Sequence, residues 1–281
     1  MNLSINPTAQ DDVNIVHATH LIKDSTEVVS FLKNSGFEII ELAEVSDGGN
    51  THCYRISLNG GYISFKKRNN PEIPELVDSA LTGFGLGTKD IESTQGRLTL
   101  HGFHPLSIEE RKLLFPLAKK EQKEIAYKVF KLKESDVFEG EVEFIDVSNS
   151  KKSSTKSAHN NALSYFHAII LHTNKPEETI ARYCWLTNQS SPRRIFGSSW
   201  QVGLDQQKII VCSEEDVERI LPSVNVSNLP SILGYALLTE SLSKTKDCFS
   251  HNELALQSLN RGSFLVKLPE FISGNLIIGT S

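Results

Sequence analysis

The 281-residue sequence predicts an α+β fold built from a strand–helix–strand–strand–strand (βαβββ) unit used four times, and three observations carry that expectation. The first is a repeated spacing. The apolar run from Ile15 to Ile22 leads to Lys23-Asp24, and Gly36-Phe37 follows with 36 − 24 = 12; the run from Leu81 to Thr88 leads to Lys89-Asp90, and Gly102-Phe103 follows with 102 − 90 = 12. The second is a hairpin signal, Asn59-Gly60-Gly61, between the strand patterns Thr51 to Leu58 and Tyr62 to Lys66. The third is the polar, low-complexity stretch from Asn149 to Ser157, which separates two pairs of units.

Each element has a local reason. Asp24 caps the first helix with Glu27 three residues on, as in a capping box, and Gly36 stops it. Val28 and Leu32 share the helix face that can lie on a sheet. In the third unit Tyr165 to His172 is a strand. Asn174-Lys175-Pro176-Glu177-Glu178 opens a helix with proline in its first turn, and Trp200 to Cys212 forms a hairpin about Leu204-Asp205-Gln206. The fourth unit runs from Ile232 to Leu238, through a helical stretch around Leu242, to Ser263–Leu268 and Asn275–Ile278. The units fall near residues 14–68, 81–147, 164–212 and 231–279. They give an N-terminal domain over 10–148, a linker over 149–162 and a C-terminal domain over 163–281.

Composition narrows the function classes. Lys and Arg number 29 against 34 Asp and Glu, so the net charge of −5 offers no basic excess for nucleic acid. No apolar run approaches the roughly 20 residues that span a bilayer, and MNLSINPTAQ lacks the basic start and apolar stretch of a secretory signal. A cytoplasmic protein without nucleic-acid or membrane partners is expected. The cysteines Cys53, Cys184, Cys212 and Cys248 form no C-x-x-C pair, against a structural zinc site or a disulfide framework.

The segment from Ile15 through His17 to Asp24 resembles the opening strand of glyoxalase-like proteins of the vicinal oxygen chelate superfamily. Asn50-Thr51-His52-Cys53, with the strand, Asn59-Gly60-Gly61 turn and Tyr62-Ile63-Ser64-Phe65 that follow, is similar to a second glyoxalase-like segment, with Ser64 in place of the family's glutamate. His159-Asn160-Asn161-Ala162, leading into His167, resembles the family's link between halves. The resemblance implies two curved, mixed-sheet half-barrels, each made of two modules around a cavity. It also implies a divalent metal (Fe, Mn, Zn or Ni) held by histidine and glutamate, and a small oxygenated molecule that chelates it.

Strand alternation limits who takes part. His17, Thr19 and Leu21 share one side of the first strand and His20 the other, so only one of the two histidines faces a cavity. The resemblance favours His17 and, in the third unit, His167. Glu143 is the equivalent of the family's last-strand ligand, while Gly83, Ser64, Val211 and Ile278 stand where other ligands would be. The expected metal set is therefore His17, His52 and Glu143, with Glu143 or His52 moving a proton. Thr19, Arg55, His167 and Trp200 are the candidate substrate contacts. Two functions follow from the resemblance: a metal-dependent lyase, isomerase or dioxygenase, or a metal-free small-molecule binder with a degenerate site, either one a monomer or a homodimer. A scaffold role has no exposed amphipathic repeat to support it.

Overall fold

The computed structural model describes residues 13–46, 49–67, 79–116, 122–148, 159–224, 229–252, 254–260 and 262–280. The expected polar join at Asn149 to Ser157 lies outside the described residues, as do positions 10–12 of the expected N-terminal domain.

All four units form as the sequence predicts. The first comprises β1 (Asn14–Ile22), α1 (Ser25–Asn34), β2 (Ile40–Ser46), β3 (Gly49–Leu58) and β4 (Gly61–Lys67). The second comprises β5 (Ala80–Thr88), α2 (Ile91–Leu100), β6 (Glu109–Pro116), β7 (Gln122–Lys131) and β8 (Glu141–Asp146). The third comprises β9 (Leu163–Thr173), α3 (Pro176–Thr187), β10 (Arg193–Phe196), β11 (Ser199–Leu204) and β12 (Gln207–Ser213), and is followed by the short α4 (Val217–Ile220). The fourth comprises β13 (Ser231–Thr239), α5 (Leu242–Ser250), β14 (Leu256–Asn260), β15 (Ser263–Lys267) and β16 (Asn275–Thr280).

The local signals act as expected. The Asp24 carboxylate accepts from the Thr26 N–H, and Gly36 leaves α1 at φ +79°. Pro176 takes the first position of α3, whose cap residue Lys175 makes no side-chain cap bond. Here the Thr173 hydroxyl accepts from the Lys175 N–H instead. Gly60 at φ +78° and Asp205 at φ +57° turn the two hairpins.

The two halves close differently. In the first, the two modules close into one barrel of order β1-β4-β3-β2-β6-β7-β8-β5, because β2 pairs with β6 and β1 with β5. In the second, β9 pairs with β13, but β10 and β14 are the two edges of an open eight-stranded sheet. Alternation then sorts the core. Ala18, Ile22, Phe84, Leu86, Val142 and Phe144 face out of the barrel into the main apolar cluster, with Val28, Leu32, Ile91 and Leu98 from the helices.

The face of the second sheet that matches the barrel interior is apolar. Ile170, Cys212, Leu233 and Leu265 pack there with Val217 and Leu221, so α4 and the residue after it plug the space that the first half keeps polar. Asp216 pins this plug by accepting from the Ser198 N–H and from the Ser199 and Ser213 hydroxyls, each at 2.8 Å.

Side chains sew the halves together. Gln207 accepts from the Ile15 N–H at 2.8 Å and donates to the carbonyls of Ile15, Gly60 and Phe166 at 3.0, 2.8 and 3.1 Å. His159 accepts from the Glu38 N–H and donates to the Ser57 carbonyl, ordering the link as the sequence suggests. His20 is held between the Ile272 carbonyl and the Tyr235 hydroxyl, the satisfied structural role expected for the outward-facing histidine. Among the described residues no helix is long and apolar enough to cross a membrane.

Candidate functional site

The polar interior of the first barrel is assembled by alternation and closure together. On β1, His17 and Thr19 turn inward and are buried; on β8, Glu143 does the same. Between them in the wall lies β5, where Gly85 pairs with both His17 and Glu143. A Cβ at position 85 would collide with Cε1 and Nδ1 of His17. Its absence lets the imidazole lie across the strand, where Nε2 meets Glu143 Oε1 at 3.3 Å. Sequence reasoning missed Gly85, and the only local sign of it is three glycines alternating along one strand, Gly83, Gly85 and Gly87.

The remaining wall supplies charge. Arg111 on β6 sends Nη1 to Glu143 Oε2 at 2.9 Å and to Glu44 Oε1 at 3.3 Å, and it also bonds Glu109 at the rim. Lys66 on β4 reaches Glu44 at 3.1 Å. Tyr62, on the strand between β1 and β3, stacks on His17 with centroids 4.9 Å apart, and the Arg55 guanidinium lies 3.6 Å over its ring. Ser64 pairs in register with both Thr19 and Arg55. Arg111, Glu44, Lys66 and Tyr62 were not anticipated from the sequence, because nothing local distinguishes them from strand residues that face solvent.

Burial and charge set the protonation states. Burial pushes His17 below the ordinary imidazole value, only partly opposed by the bond to Glu143. Its Nε2–H donates to the carboxylate, and Nδ1 is left buried without a partner among the described residues. Burial opposes ionisation of Glu143, but the hydrogen bond from His17 and the charges of Lys66 and Arg111 outweigh it and hold the carboxyl well below its usual range. The Tyr62 phenol is pushed up by burial.

Several expected site residues lie elsewhere. His52 stands on the outer side of β3, with 41% of its side chain exposed and Nε2 at 2.9 Å from Glu41, so it joins neither His17 nor Glu143. Arg55, an odd number of residues along the same strand, turns the other way, inward.

His167 bonds the Gln206 carbonyl at 3.0 Å, where β9 skips a residue in its pairing with β13. β1 skips Val16 against β5 in the same way, so His167 is the counterpart of Val16 rather than of His17. His17 pairs with Tyr62, the second residue of β4, and the residue paired with Lys208, the second residue of β12, is Ala168. By the same register Ser64 corresponds to Ile210 and Ile277, not to Val211 and Ile278. Trp200 lies on β11 of the second sheet, partly buried under the main core with Arg194 over its ring. Thr19 and Arg55 are the expected substrate contacts that the structure brings to His17 and Glu143.

A divalent metal does not fit this donor set. An open metal site needs about three protein ligands, and among the described residues only His17 and Glu143 meet directly, Glu44 being held off by Arg111. Among the described residues no group of three or more His, Cys, Asp or Glu could hold an ion. The second oxygen of Glu143 is bound to Arg111, whose Nη1 bridges it to Glu44, so a guanidinium stands where a cation would join two carboxylates.

No family model and no curated protein matches the sequence. Solved structures match it in fold. A hypothetical protein from Staphylococcus aureus superposes with a TM-score of 0.64 at 9% identity, covering 96% of this chain and 100% of that one. A mutant 4-hydroxymandelate synthase from Streptomyces coelicolor gives 0.60 at 10% identity, covering 95% and 93%. The Mn(II)-bound glyoxalase from Novosphingobium aromaticivorans gives 0.58 at 10% identity, covering 95% and 81%. With its four βαβββ units in two paired halves, the chain has the fold of the vicinal oxygen chelate superfamily.

Proposed function

We propose that the protein is a metal-independent receptor for a small oxygenated metabolite, held inside the barrel of β1 to β8. One observation carries this reading: Arg111 Nη1 bridges Glu143 and Glu44, giving the carboxylates a fixed guanidinium in place of an exchangeable ion. The second half has no counterpart to this site, because its matching face is filled by Ile170, Leu233 and α4. The reading takes the chain as a cytoplasmic monomer or homodimer whose partner is the small molecule alone.

Elemental analysis of gently purified protein, with His17→Ala as control, tests it. Iron, manganese, zinc and nickel are each expected well below one equivalent in both proteins. Stoichiometric metal that His17→Ala loses would overturn the reading in favour of a metal-dependent enzyme.

A second reading is favoured by the His17–Glu143 pair itself, as a metal-independent proton-transfer site. The carboxylate fixes the imidazole with Nε2 protonated, so the free Nδ1 is the atom able to accept a proton from a bound ligand. Solvent deuterium exchange into a ligand found by thermal shift, lost in His17→Gln, would mark this chemistry.

A further inference from the structure

Resting on the barrel interior as the ligand site, we infer that the ligand carries a carboxylate and that Arg55 is its receptor. Arg55 is 8% exposed, yet no carboxylate or carbonyl bonds it among the described residues, and its Nε is sealed from solvent without a partner. The ring of Tyr62 lies beneath its guanidinium. The other two cations of the wall are matched: Arg111 with Glu44, Glu109 and Glu143, and Lys66 with Glu44. A guanidinium largely withdrawn from water, with no anion beside it, is costly to keep, and its remaining exposed N–H groups are open to an incoming anion.

Two more orphaned atoms lie around it. The Ser64 hydroxyl, beside Arg55 in register, and Nδ1 of His17, on the far side of Tyr62, are both buried and unpartnered. The receptor thus offers a planar cation with several N–H donors, one hydroxyl that can donate to a carboxylate oxygen, and one imidazole nitrogen that can accept from a neighbouring hydroxyl. A carboxylate satisfies the first two, and His17 Nδ1, across the Tyr62 ring, is left for a more distant hydroxyl or enolisable carbon of the same ligand. A phosphate dianion suits the site less well. Glu44 and Glu143 stand close enough to act on Tyr62, and they would repel the second negative charge.

The experiment uses lactate, pyruvate and benzoate as carboxylate probes, lactamide and benzamide as their neutral counterparts, and inorganic phosphate, all on EDTA-treated full-length protein. Thermal melts should rise by about 2 °C or more when a carboxylate is about tenfold above its Kd, and stay flat with the amides and phosphate. Arg55→Gln should abolish the rise and Ser64→Ala should weaken binding severalfold, with circular dichroism confirming that each variant is folded.

Equal stabilisation by acid and amide, a stronger response to phosphate, retention of the rise in Arg55→Gln, or no response to any carboxylate would overturn the inference. Should Arg55→Gln not fold, the acid-against-amide comparison on the native protein and the Ser64→Ala titration still decide it. Failure of the metal-independent reading would show separately, as stoichiometric metal in protein purified without chelator.

Discussion

Replacing Arg111 with methionine removes the one group that touches both buried carboxylates while keeping much of its volume. The Arg111 side chain is 6% exposed, and those of Glu44 and Glu143 are 10% and 6% exposed, so solvent can do little to compensate. Breaking a buried pair by deleting one partner costs about 3–5 kcal/mol, and here Glu143 keeps only His17 while Glu44 keeps only Lys66. Urea denaturation should therefore show an unfolding free energy lowered by about 3–5 kcal/mol, through an earlier midpoint at unchanged slope. Adding Glu44→Gln and Glu143→Gln should recover more than half of the loss, because no unmatched charge then remains. The variant also frees Glu143 and Glu44 beside His17, so Mn(II) or Zn(II) should raise the melting temperature of Arg111→Met and leave the native protein unmoved. A loss below about 1 kcal/mol, or equal metal stabilisation of both proteins, would refute the view that Arg111 takes the place of a metal.

Three further outcomes test the framework around the site. Gly85→Ala should cost about 1–3 kcal/mol in urea denaturation and shift the His17 imidazole NMR signals, since the new methyl group collides with that ring. Gln207→Leu strips four hydrogen bonds from Ile15, Gly60 and Phe166 and should lower stability by about 2–4 kcal/mol, a loss that a peripheral residue would not show. Burial lowers His20 from 6.5 to about 4, so the unfolded chain binds the proton more readily. Stability should be full above pH 6.5 and fall by about 3 kcal/mol as the pH drops to about 4. His20→Gln should flatten that slope in acid titrations followed by tryptophan fluorescence.

Much of the fold was legible because its signals are local. Asp24, Gly36, Asn59-Gly60-Gly61 and Pro176 each act within a few residues of themselves, and period-two alternation separated inward His17 and Thr19 from outward His20 before any partner was known. The site was legible only in part, for the same reason. Alternation gives the side of a strand and says nothing of what stands across a barrel, so Arg111, Glu44 and Lys66 were not anticipated. His52 could complete the ligand set only by turning inward, and its own strand turns it out to Glu41. His167 fails because it is the bulged residue of β9, the counterpart of Val16 on β1, while Ala168 holds the place of His17.

By itself the sequence determined four βαβββ units, their order, and that His17 and Thr19 share the face of β1 opposite His20. Only the tertiary structure decided that the first pair of units closes through β2 and β6 while the second stays open under α4. That closure brings Arg111 and Glu143 to His17 from 111 − 17 = 94 and 143 − 17 = 126 residues away. Pairing across such distances depends on strand register and barrel closure, and the energy of a buried charge depends on which opposite charge arrives beside it. Both are properties of the assembled wall rather than of any stretch of chain.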